Sequence, residues 1–260
     1  MGNMKVLAVI PARYASTRFP GKPLALLGGK PIIDYAYSVA AGTPGVAAAV
    51  VATDDERIFA HMERAFGKGS VIMTSTEHKS GTDRCGEVVR RLDDEGRTFD
   101  VVINLQGDEP FVQPSQLQLL ASCFDNPATD IATLKTLIND SRELFSPNNV
   151  KVVCAASGKA LYFSRQPIPF RRGEEEGDWV RKGHYYKHVG IYAFRSATLA
   201  KVCALPQSSL ETSEKLEQLR WLEAGYTIAV RETEASNIGI DTPEDLEAAE
   251  CELKIMNEKK

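Results

Sequence analysis

Three features that would each assign this sequence to a class of protein are missing from it. No apolar run approaches the roughly 18 residues that a membrane helix needs, so no membrane association is expected. The five cysteines are odd in number, widely scattered and without a CxxC pair, which argues against a zinc cluster or a disulfide framework. Internal repeats and low-complexity tracts are also missing. These absences favour a reduced protein of the cytoplasm.

An excess of positive charge is missing as well. The formal net charge is −4 over 260 residues, so the protein as a whole does not attract nucleic acid. Hydrophobic residues make up 43% of the chain and charged residues 25%, which suits one folded domain. A binding site for an anion must therefore be a local concentration of cations on a mildly acidic surface.

The first half of the chain alternates apolar strands with helical patterns. The continuous apolar runs KVLAVIPA, GVAAAVVATD and DVVINLQGD are separated by stretches with helical spacing. Such strands, joined through helices, form a parallel sheet that helices cover on both faces. We therefore predict an α/β fold with a doubly wound, mainly parallel sheet.

From about residue 130 the pattern changes. DIATLKTL, VKVVCAA, ALYFSR and YYKHVGIYAF partly alternate, which is typical of antiparallel strands. ETSEKLEQLRWLEAG predicts one helix, capped by Thr212 or Ser213 and ended by Gly225, and NIGID predicts a last strand. We predict a single domain over residues 4–260, with a smaller antiparallel β lobe over about residues 130–225.

A cationic loop, ARYASTRFPGK, follows the first strand and presents Arg13, Arg18 and Lys22. It is not a Walker loop, because Ser16 and Pro23 occupy positions that require Gly and Ser or Thr. Guanidinium groups suit phosphate oxygens, and lysine supplies a point charge. Spacing alone leaves solvated loop charges equally possible. The position beyond the carboxyl end of a strand, where α/β sheets bind ligands, favours phosphate.

Two aspartates end apolar strands, Asp108 after VVINLQG and Asp241 after NIGI. Thr242, Pro243 and Asp245 already supply the cap of the following helix, so Asp241 is left without a structural role. Carboxylates beside a polyphosphate suggest Mg²⁺, which prefers oxygen ligands. Either aspartate alone is more often structural, but two at one sheet edge facing three cations favour a metal–phosphate site.

Seven stretches, in order, make the sequence resemble the 3-deoxy-manno-octulosonate cytidylyltransferases: IPARYASTRFPGKPL, HKSGTDR, NLQGDEP, ALYFSR, KHVGIYAF, SEKLEQLR and GIDTPEDLE. The resemblance runs from Val6 to about Leu253 and implies a nucleotide-diphospho-sugar transferase-like fold. It implies that CTP and the eight-carbon acid sugar Kdo give CMP-Kdo and pyrophosphate, with Mg²⁺, for lipopolysaccharide biosynthesis. It also implies a cytoplasmic homodimer that uses the second-half lobe for sugar binding and dimerisation.

The resemblance also assigns roles to residues, motif by motif. Arg13, Arg18 and Lys22 would hold the triphosphate, and Asp108 and Asp241 would bind magnesium; apart from Arg18, these residues form the catalytic set. The segment around cytosine and ribose comprises Ser80, Gly81, Thr82, Asp83 and Arg84, and Gln106 joins both the nucleotide and the sugar sites. The other sugar-facing residues are Arg165, His188, Tyr192, Glu217 and Gln218.

Ordinary roles remain open for the sugar-facing residues. Without the resemblance, His188 is a satisfied, half-buried histidine, Glu217 and Gln218 face solvent on a helix, and Arg165 is a surface charge. Both tryptophans are predicted to be packing anchors.

Two other functions also remain open. One is a cytidylyltransferase for an 8-amino or other 2-keto sugar acid. The other is a non-catalytic nucleotide-binding sensor, which the joint presence of Lys22, Asp108 and Asp241 disfavours, because a sensor could bind CTP without both metal ligands.

Overall fold

The computed structural model describes residues 4–15, 18–235 and 239–258. The chain forms two compact units, the first drawn from residues 1–118 and 236–260 and the second from residues 119–235. The strands are β1 (Val6–Ala12), β2 (Leu26–Leu27), β3 (Lys30–Pro31), β4 (Val46–Thr53), β5 (Val71–Met73), β6 (Val101–Asn104), β7 (Ile131–Leu137), β8 (Lys151–Cys154), β9 (Ala160–Ser164), β10 (Tyr186–Arg195) and β11 (Ile228–Glu232).

The helices, numbered in the same way, are α1 (Ile32–Gly42), α2 (Glu56–Phe66), α3 (Gly81–Asp94), α4 (Pro114–Ser122), α5 (Ser141–Phe145), α6 (Trp179–Lys182), α7 (Ser196–Cys203), α8 (Ser209–Glu214), α9 (Gln218–Glu223) and α10 (Pro243–Glu258). Across the described part of the chain, no helix combines the length and the apolar character needed to cross a membrane.

The first unit contains the parallel sheet that the apolar runs predict. Its strands lie in the order β6, β1, β4, β5, and every neighbouring pair is parallel. Val9 in β1 lies opposite Val50 of β4 on one side and Asn104 of β6 on the other. Helices α1 and α3 both pack against β1. The α/β prediction is confirmed, and the carboxyl ends of β1 and β6 lie side by side.

Helix α3 brings the HKSGTDR segment to the carboxyl end of β1. It begins with a capping box, in which Asp83 N–H donates to Ser80 Oγ over 3.1 Å and Ser80 N–H donates to the Asp83 carboxylate over 3.2 Å. The first helical residue is Gly81, where a Cβ would lie 3.3 Å from Pro11 Cγ. A glycine there lets the start of α3 approach the end of β1 closely.

The second unit is built around β7. This strand pairs antiparallel with β10 and parallel with β11, while β8 pairs antiparallel with both β9 and β10. The strand pairs of this unit are therefore mainly antiparallel, as predicted, with β7–β11 as a parallel exception. A bulge interrupts β10 between Val189 and Tyr192. A separate core cluster in this unit contains both Trp179 and Tyr185.

The helix predicted over residues 211–225 is in fact two helices, α8 and α9. Lys215 follows α8 with a φ of 55°, in the left-handed region, and this conformation ends the helix. The cap is Ser208, whose Oγ accepts the Glu211 N–H, so the predicted caps Thr212 and Ser213 are wrong. Both lie inside α8, where their hydroxyls donate to backbone carbonyls one turn earlier.

Other elements also differ from the sequence pattern. Residues 239–241, the described part of the predicted strand NIGID, are not a strand, since Ile240 makes a single backbone hydrogen bond to a loop and not a ladder; residues 237 and 238 lie outside the described residues. Strand β11 and helix α7 are not predicted by the pattern. Both are short, and β11 ends in the exposed residues Arg231 and Glu232, so neither has a clear period.

Candidate active site

The cationic loop after β1 is closed on itself. The Gly21 N–H donates to the Tyr14 carbonyl over 2.9 Å, and Gly21 has a φ of 74°. A Cβ at this position would lie 2.9 Å from the Tyr14 ring, so only glycine fits without displacing the tyrosine. The Arg57 guanidinium lies over the same ring, 3.2 Å from its centre. Tyr14 therefore holds the base of the loop that carries the three cations.

Lys22 brings the two predicted aspartates together. Its Nζ lies 2.6 Å from Asp108 Oδ2 and 3.1 Å from Asp241 Oδ1, and its side chain is only 13% exposed. Burial opposes the charge on Lys22, but the two carboxylates outweigh it, so the pKa of the lysine is raised. Arg18 Nη1 approaches the second oxygen of Asp241 at 3.2 Å. The predicted meeting of cations and carboxylates at one place is therefore present.

Backbone contacts explain how two residues 133 positions apart in number, Asp108 and Asp241, become neighbours. The Ile240 N–H donates to the Asp108 carbonyl over 3.0 Å. Gly107 lies so close to β1 that a Cβ would sit 3.1 Å from the Pro11 carbonyl oxygen. A capping box between Thr242 and Asp245 starts α10 directly after Asp241. The end of β6, the end of β1 and the start of α10 therefore converge, and the predicted cap is confirmed.

These groups line a cavity of about 380 Å³ in the first unit. Arg13, Arg18 and Lys22 contribute from the loop, and Gln106, Asp108 and Asp241 face them from the other elements. Gln106 Nε2 also lies 3.4 Å from the Asn104 side-chain oxygen. Three cationic and two anionic side chains give the cavity a net charge of about +1. An anion with several negative charges would therefore need a second cation in the cavity to balance it.

The donor set of this cavity fits a magnesium ion. Two carboxylates already converge on one cation, the Lys22 ammonium, and both are part-exposed. Mg²⁺ favours sites with one or two carboxylates that leave other positions to water and substrate phosphates. Over residues 4–15, 18–235 and 239–258, no group of three His, Cys, Asp or Glu side chains could hold a metal ion. A metal here would share its coordination with a ligand.

Arg13 is held differently from the other two cations. Its Nη2 donates to the backbone carbonyl of His78, and its side chain is half-buried. Burial, followed by the nearby Arg84, lowers the pKa of Arg13, while Asp54 and Asp83 act in the opposite direction. The guanidinium nevertheless stays charged, because arginine is not deprotonated in proteins. Its burial makes it a preorganised donor at the edge of the cavity.

The predicted nucleotide segment, Ser80–Arg84, has clear structural roles in the protein. Ser80 and Asp83 form the capping box of α3. Arg84 is completely buried, with Nη2 2.6 Å from Asp54 Oδ2 and Nη1 bonded to Thr74 Oγ1. Its guanidinium is therefore bound to Asp54 and Thr74 in this structure, and its role at the nucleotide stays a prediction. Gly81 and Thr82 lie in the first turn of α3, beside the end of β1.

Sequence reasoning missed Asp54 and Glu87. Asp54 follows β4 at the edge of the parallel sheet and is the ion partner of Arg84. The run VVATDD carries the same strand-end signal as the two recognised aspartates, so Asp54 could have been found. Glu87 lies inside α3, where helical spacing gives no sign that the side chain is buried.

In the second unit, Arg165 is bound to backbone carbonyls. Its guanidinium donates to the carbonyls of Glu214 and Pro147 at 2.7 and 2.9 Å. The buried Lys151 ammonium in turn donates to the Arg165 carbonyl, and burial lowers the pKa of Lys151 to about 8. The third guanidinium nitrogen of Arg165 donates to the Lys215 carbonyl over 3.4 Å, and no carboxylate pairs with the Arg165 side chain among the described residues.

His188 and Tyr192 belong to an aromatic cluster. Their rings lie 5.2 Å apart, and Tyr192 packs edge-on against the buried Trp221 at 5.0 Å. Burial lowers the pKa of His188 to about 3, so the ring is neutral. Its Nε2 lies 2.9 Å from Thr133 Oγ1, whose hydroxyl also faces two backbone carbonyls. Carbonyl oxygens only accept, so the single Thr133 hydroxyl proton is directed at them and Oγ1 must accept from the histidine. The neutral ring therefore carries its proton on Nε2 and keeps Nδ1 as an acceptor.

The helical pair Glu217 and Gln218 is not solvent-facing, in contrast to the ordinary expectation. Glu217 occupies the N-cap position of α9 and is half-buried, and Gln218 is buried. Both tryptophans are buried, as predicted for packing anchors. The second unit therefore holds a cation, a neutral histidine, a tyrosine and a buried amide as polar groups of the predicted sugar set.

Comparison with known proteins agrees with this architecture. The family model described as cytidylyltransferase matches residues 7–233. The 3-deoxy-manno-octulosonate cytidylyltransferases of Phocaeicola vulgatus and Bacteroides thetaiotaomicron are both 55% identical to the chain over 254 residues, which cover 96% of it and 98% and 99% of those proteins.

A solved structure gives the same result. CMP:2-keto-3-deoxy-manno-octonic acid synthetase, in complex with CTP, matches with a TM-score of 0.88 and 42% identity, over 97% of this chain and 99% of that one. A 4-diphosphocytidyl-2C-methyl-D-erythritol synthase from Anaerococcus prevotii, at 15% identity and a TM-score of 0.64, shares the fold. This chain belongs to the 3-deoxy-manno-octulosonate cytidylyltransferase family of nucleotidyltransferases.

Proposed function

We propose that the protein transfers the CMP group of CTP to Kdo and releases pyrophosphate. The observation that carries the proposal is the convergence of Asp108 and Asp241 on Lys22, in a cavity that Arg13 and Arg18 also line. A triphosphate needs this density of positive charge, and a bound metal needs the carboxylates. The family relatives carry this activity in their names.

The reaction is a nucleotidyl transfer. The anomeric hydroxyl oxygen of Kdo forms a bond to the α-phosphorus of CTP, the bond from that phosphorus to the β-phosphate bridging oxygen breaks, and the hydroxyl proton is lost. Negative charge accumulates on the leaving pyrophosphate, so Lys22, Arg13 and Arg18 stabilise the transition state more than the ground state. Positioning and charge neutralisation are sufficient, because no covalent enzyme intermediate is required.

A bound magnesium ion would complete the charge balance of this site. Asp108 and Asp241 are the residues that would hold it, and Lys22, which bridges them in this structure, would then contact a phosphate oxygen instead. When bound, Mg²⁺ neutralises phosphate charge and lowers the pKa of the attacking hydroxyl. The two aspartates otherwise serve to hold Lys22 in the cavity.

For the sugar, we assign recognition to the predicted residues of the second unit. Arg165 offers a cation for the Kdo carboxylate. Neutral His188 can accept a hydrogen bond from a sugar hydroxyl through Nδ1 but supplies no charge. Tyr192, Glu217 and Gln218 offer hydroxyl, carboxylate and amide groups.

Pyrophosphate release with CTP and Kdo, with and without Mg²⁺, tests the function. We expect release that requires both substrates and the metal. Replacing Kdo with an 8-amino analogue in the same assay separates the two sugar acids, through the ratio of their kcat/KM values. Binding of CTP without any release of pyrophosphate would instead identify a nucleotide sensor and contradict the proposal.

Two properties of the whole protein belong to the same proposal. We place it in the cytoplasm, in support of which none of the five cysteines, all of them within the described residues, forms a disulfide bond, and we propose that it acts as a homodimer. Its product would supply Kdo for lipopolysaccharide biosynthesis.

A further inference from the structure

The position of Arg13 depends on a short turn outside the strands. Its Nη2 donates to the His78 carbonyl, and no other hydrogen bond or ion pair of the Arg13 side chain is found among the described residues. The turn of residues 75–79 lies between the end of β5 and the cap of α3. Whatever fixes this turn therefore also fixes the cation at the edge of the nucleotide cavity.

Glu87 fixes that turn at both of its ends. The Glu87 Oε2 atom accepts the Ser75 backbone N–H over 2.9 Å and a hydrogen bond from His78 Nε2. A carboxylate can only accept, so His78 carries its proton on Nε2. The other oxygen of Glu87 pairs with Arg91 at 2.5 Å. Glu87 itself is only 8% exposed and comes from the second turn of α3.

His78 is thus held from two sides. Its side chain is bound by Glu87 and its carbonyl by Arg13. His78 therefore connects Glu87 to Arg13, through its imidazole on one side and its backbone on the other. Glu87 does not line the nucleotide cavity; it lines a second cavity of about 410 Å³ with Ser75, His78 and residues of α3. It therefore touches no substrate in the proposed site, and any effect it has must pass through the turn.

We infer that Glu87 is a positioning residue for nucleotidyl transfer, whose buried carboxylate holds the Ser75–His78 turn so that the His78 carbonyl fixes the Arg13 guanidinium. This inference rests on the proposed function. Loss of the carboxylate frees the turn, and a misplaced guanidinium loses charge-assisted contacts that act on the triphosphate. Glu87 acts through Arg13 and not on the reacting atoms.

A double-mutant cycle separates this role from a merely structural one. We expect Glu87→Ala to lower kcat/KM for CTP on the order of 10- to 100-fold, the effect of misplacing one charged group. In an Arg13→Ala background the same substitution should have little further effect, since the residue through which it acts is gone. An equal factor in both backgrounds, or no loss in the first, would overturn the inference.

Matched controls come from a second buried glutamate. Glu211 in α8 also accepts a backbone N–H, from Ser208, and pairs with an arginine, Arg220. Glu211→Ala should lower thermal stability and leave kcat/KM for CTP unchanged.

Should Glu87→Ala fail to fold, Glu87→Gln replaces it in the cycle, where the same non-additivity is expected. Its amide keeps one acceptor oxygen for the turn, so its loss of kcat/KM should be smaller.

Chemical rescue gives an independent measurement. Formate is small enough for the 410 Å³ cavity and should restore part of the lost rate to Glu87→Ala but none to Arg13→Ala. A rate that formate leaves unchanged counts against a role for the carboxylate.

A wild-type protein that releases no pyrophosphate would refute the proposed function, whereas an active wild type with unaffected Glu87 variants would refute the positioning role alone.

Discussion

Lys22 is the most constrained of the cavity cations. Its ammonium contacts both carboxylates, its side chain is nearly buried, and its pKa is raised. We expect Lys22→Ala to lose roughly 2.7–4 kcal/mol of transition-state stabilisation, the scale of one preorganised donor. Steady-state pyrophosphate release measures this loss, with the exposed Lys68→Ala as a control that keeps the wild-type rate. Near-normal turnover of Lys22→Ala would refute its role in the reaction.

Asp108 is the residue whose change tests the metal most directly. Asp108→Asn keeps the shape of the side chain but removes a charge, so we expect the fold to persist and the response to Mg²⁺ to disappear. Two measurements follow it: the rate as a function of Mg²⁺, and the shift of Tm that Mg²⁺ with CTP produces. If the variant shows the full metal-dependent rate, Asp108 is not a ligand.

Glu87 also predicts how stability depends on pH. Burial alone would raise its pKa, but hydrogen bonds from Ser75, His78 and Arg91 outweigh burial and lower the pKa from 4.5 to about 2. The folded state therefore binds the proton more weakly than the unfolded state, and the stability that Glu87 contributes above pH 4.5 is lost as pH falls towards 2.

Urea unfolding near neutral pH and near pH 3 measures this dependence. The free energy of unfolding of Glu87→Gln, which cannot ionise, should fall less between the two conditions than that of the wild type. An equal fall in both proteins would mean that other carboxyl groups cause the whole acid effect.

At the scale of elements, the junction between α8 and α9 is set by one residue. Lys215 has a φ of 55°, a backbone conformation that glycine adopts readily and that is unfavourable for lysine, which carries a Cβ. Lys215→Gly removes the strain of the left-handed conformation, but it also increases the conformational entropy of the unfolded chain, which offsets part of the gain. The free energy of unfolding should therefore rise by about 0.5 kcal/mol. Lys215→Ala, which keeps a Cβ, should not stabilise. A destabilised glycine variant would contradict this account.

At the scale of the whole molecule, exposed apolar side chains of the second unit support a dimer. Leu161 is 62% exposed and Phe170 is 75% exposed, and large exposed apolar groups often mark protein contacts. Light scattering should give twice the chain mass of 28.5 kDa. Leu161→Glu should shift the mass towards one chain, while Leu26→Glu, at a residue that is 57% exposed but in the first unit, should not. A wild-type mass of one chain would contradict the dimer.

The sequence by itself determined the α/β class, the apolar strands of the first unit and most strands of the second. It also indicated which charged residues line the cavity, because a cationic loop and strand-end carboxylates are local signals that depend on neighbours in the chain. The capping box of α10 is a signal of the same kind, read from Thr242 and Asp245 alone. Each of these features involves residues a few positions apart.

Only the tertiary structure decided which groups meet. The pairing of Lys22 with Asp108 and Asp241 requires three distant segments to converge, and the burial of Arg84 and Glu87 depends on what packs over α3. The break at Lys215 likewise lies where the distant Arg165 donates to the Glu214 and Lys215 carbonyls, contacts that a helical pattern does not reveal. Local propensities are small beside such contacts, so periodicity predicted the elements, while packing between elements decided the environment of each charge.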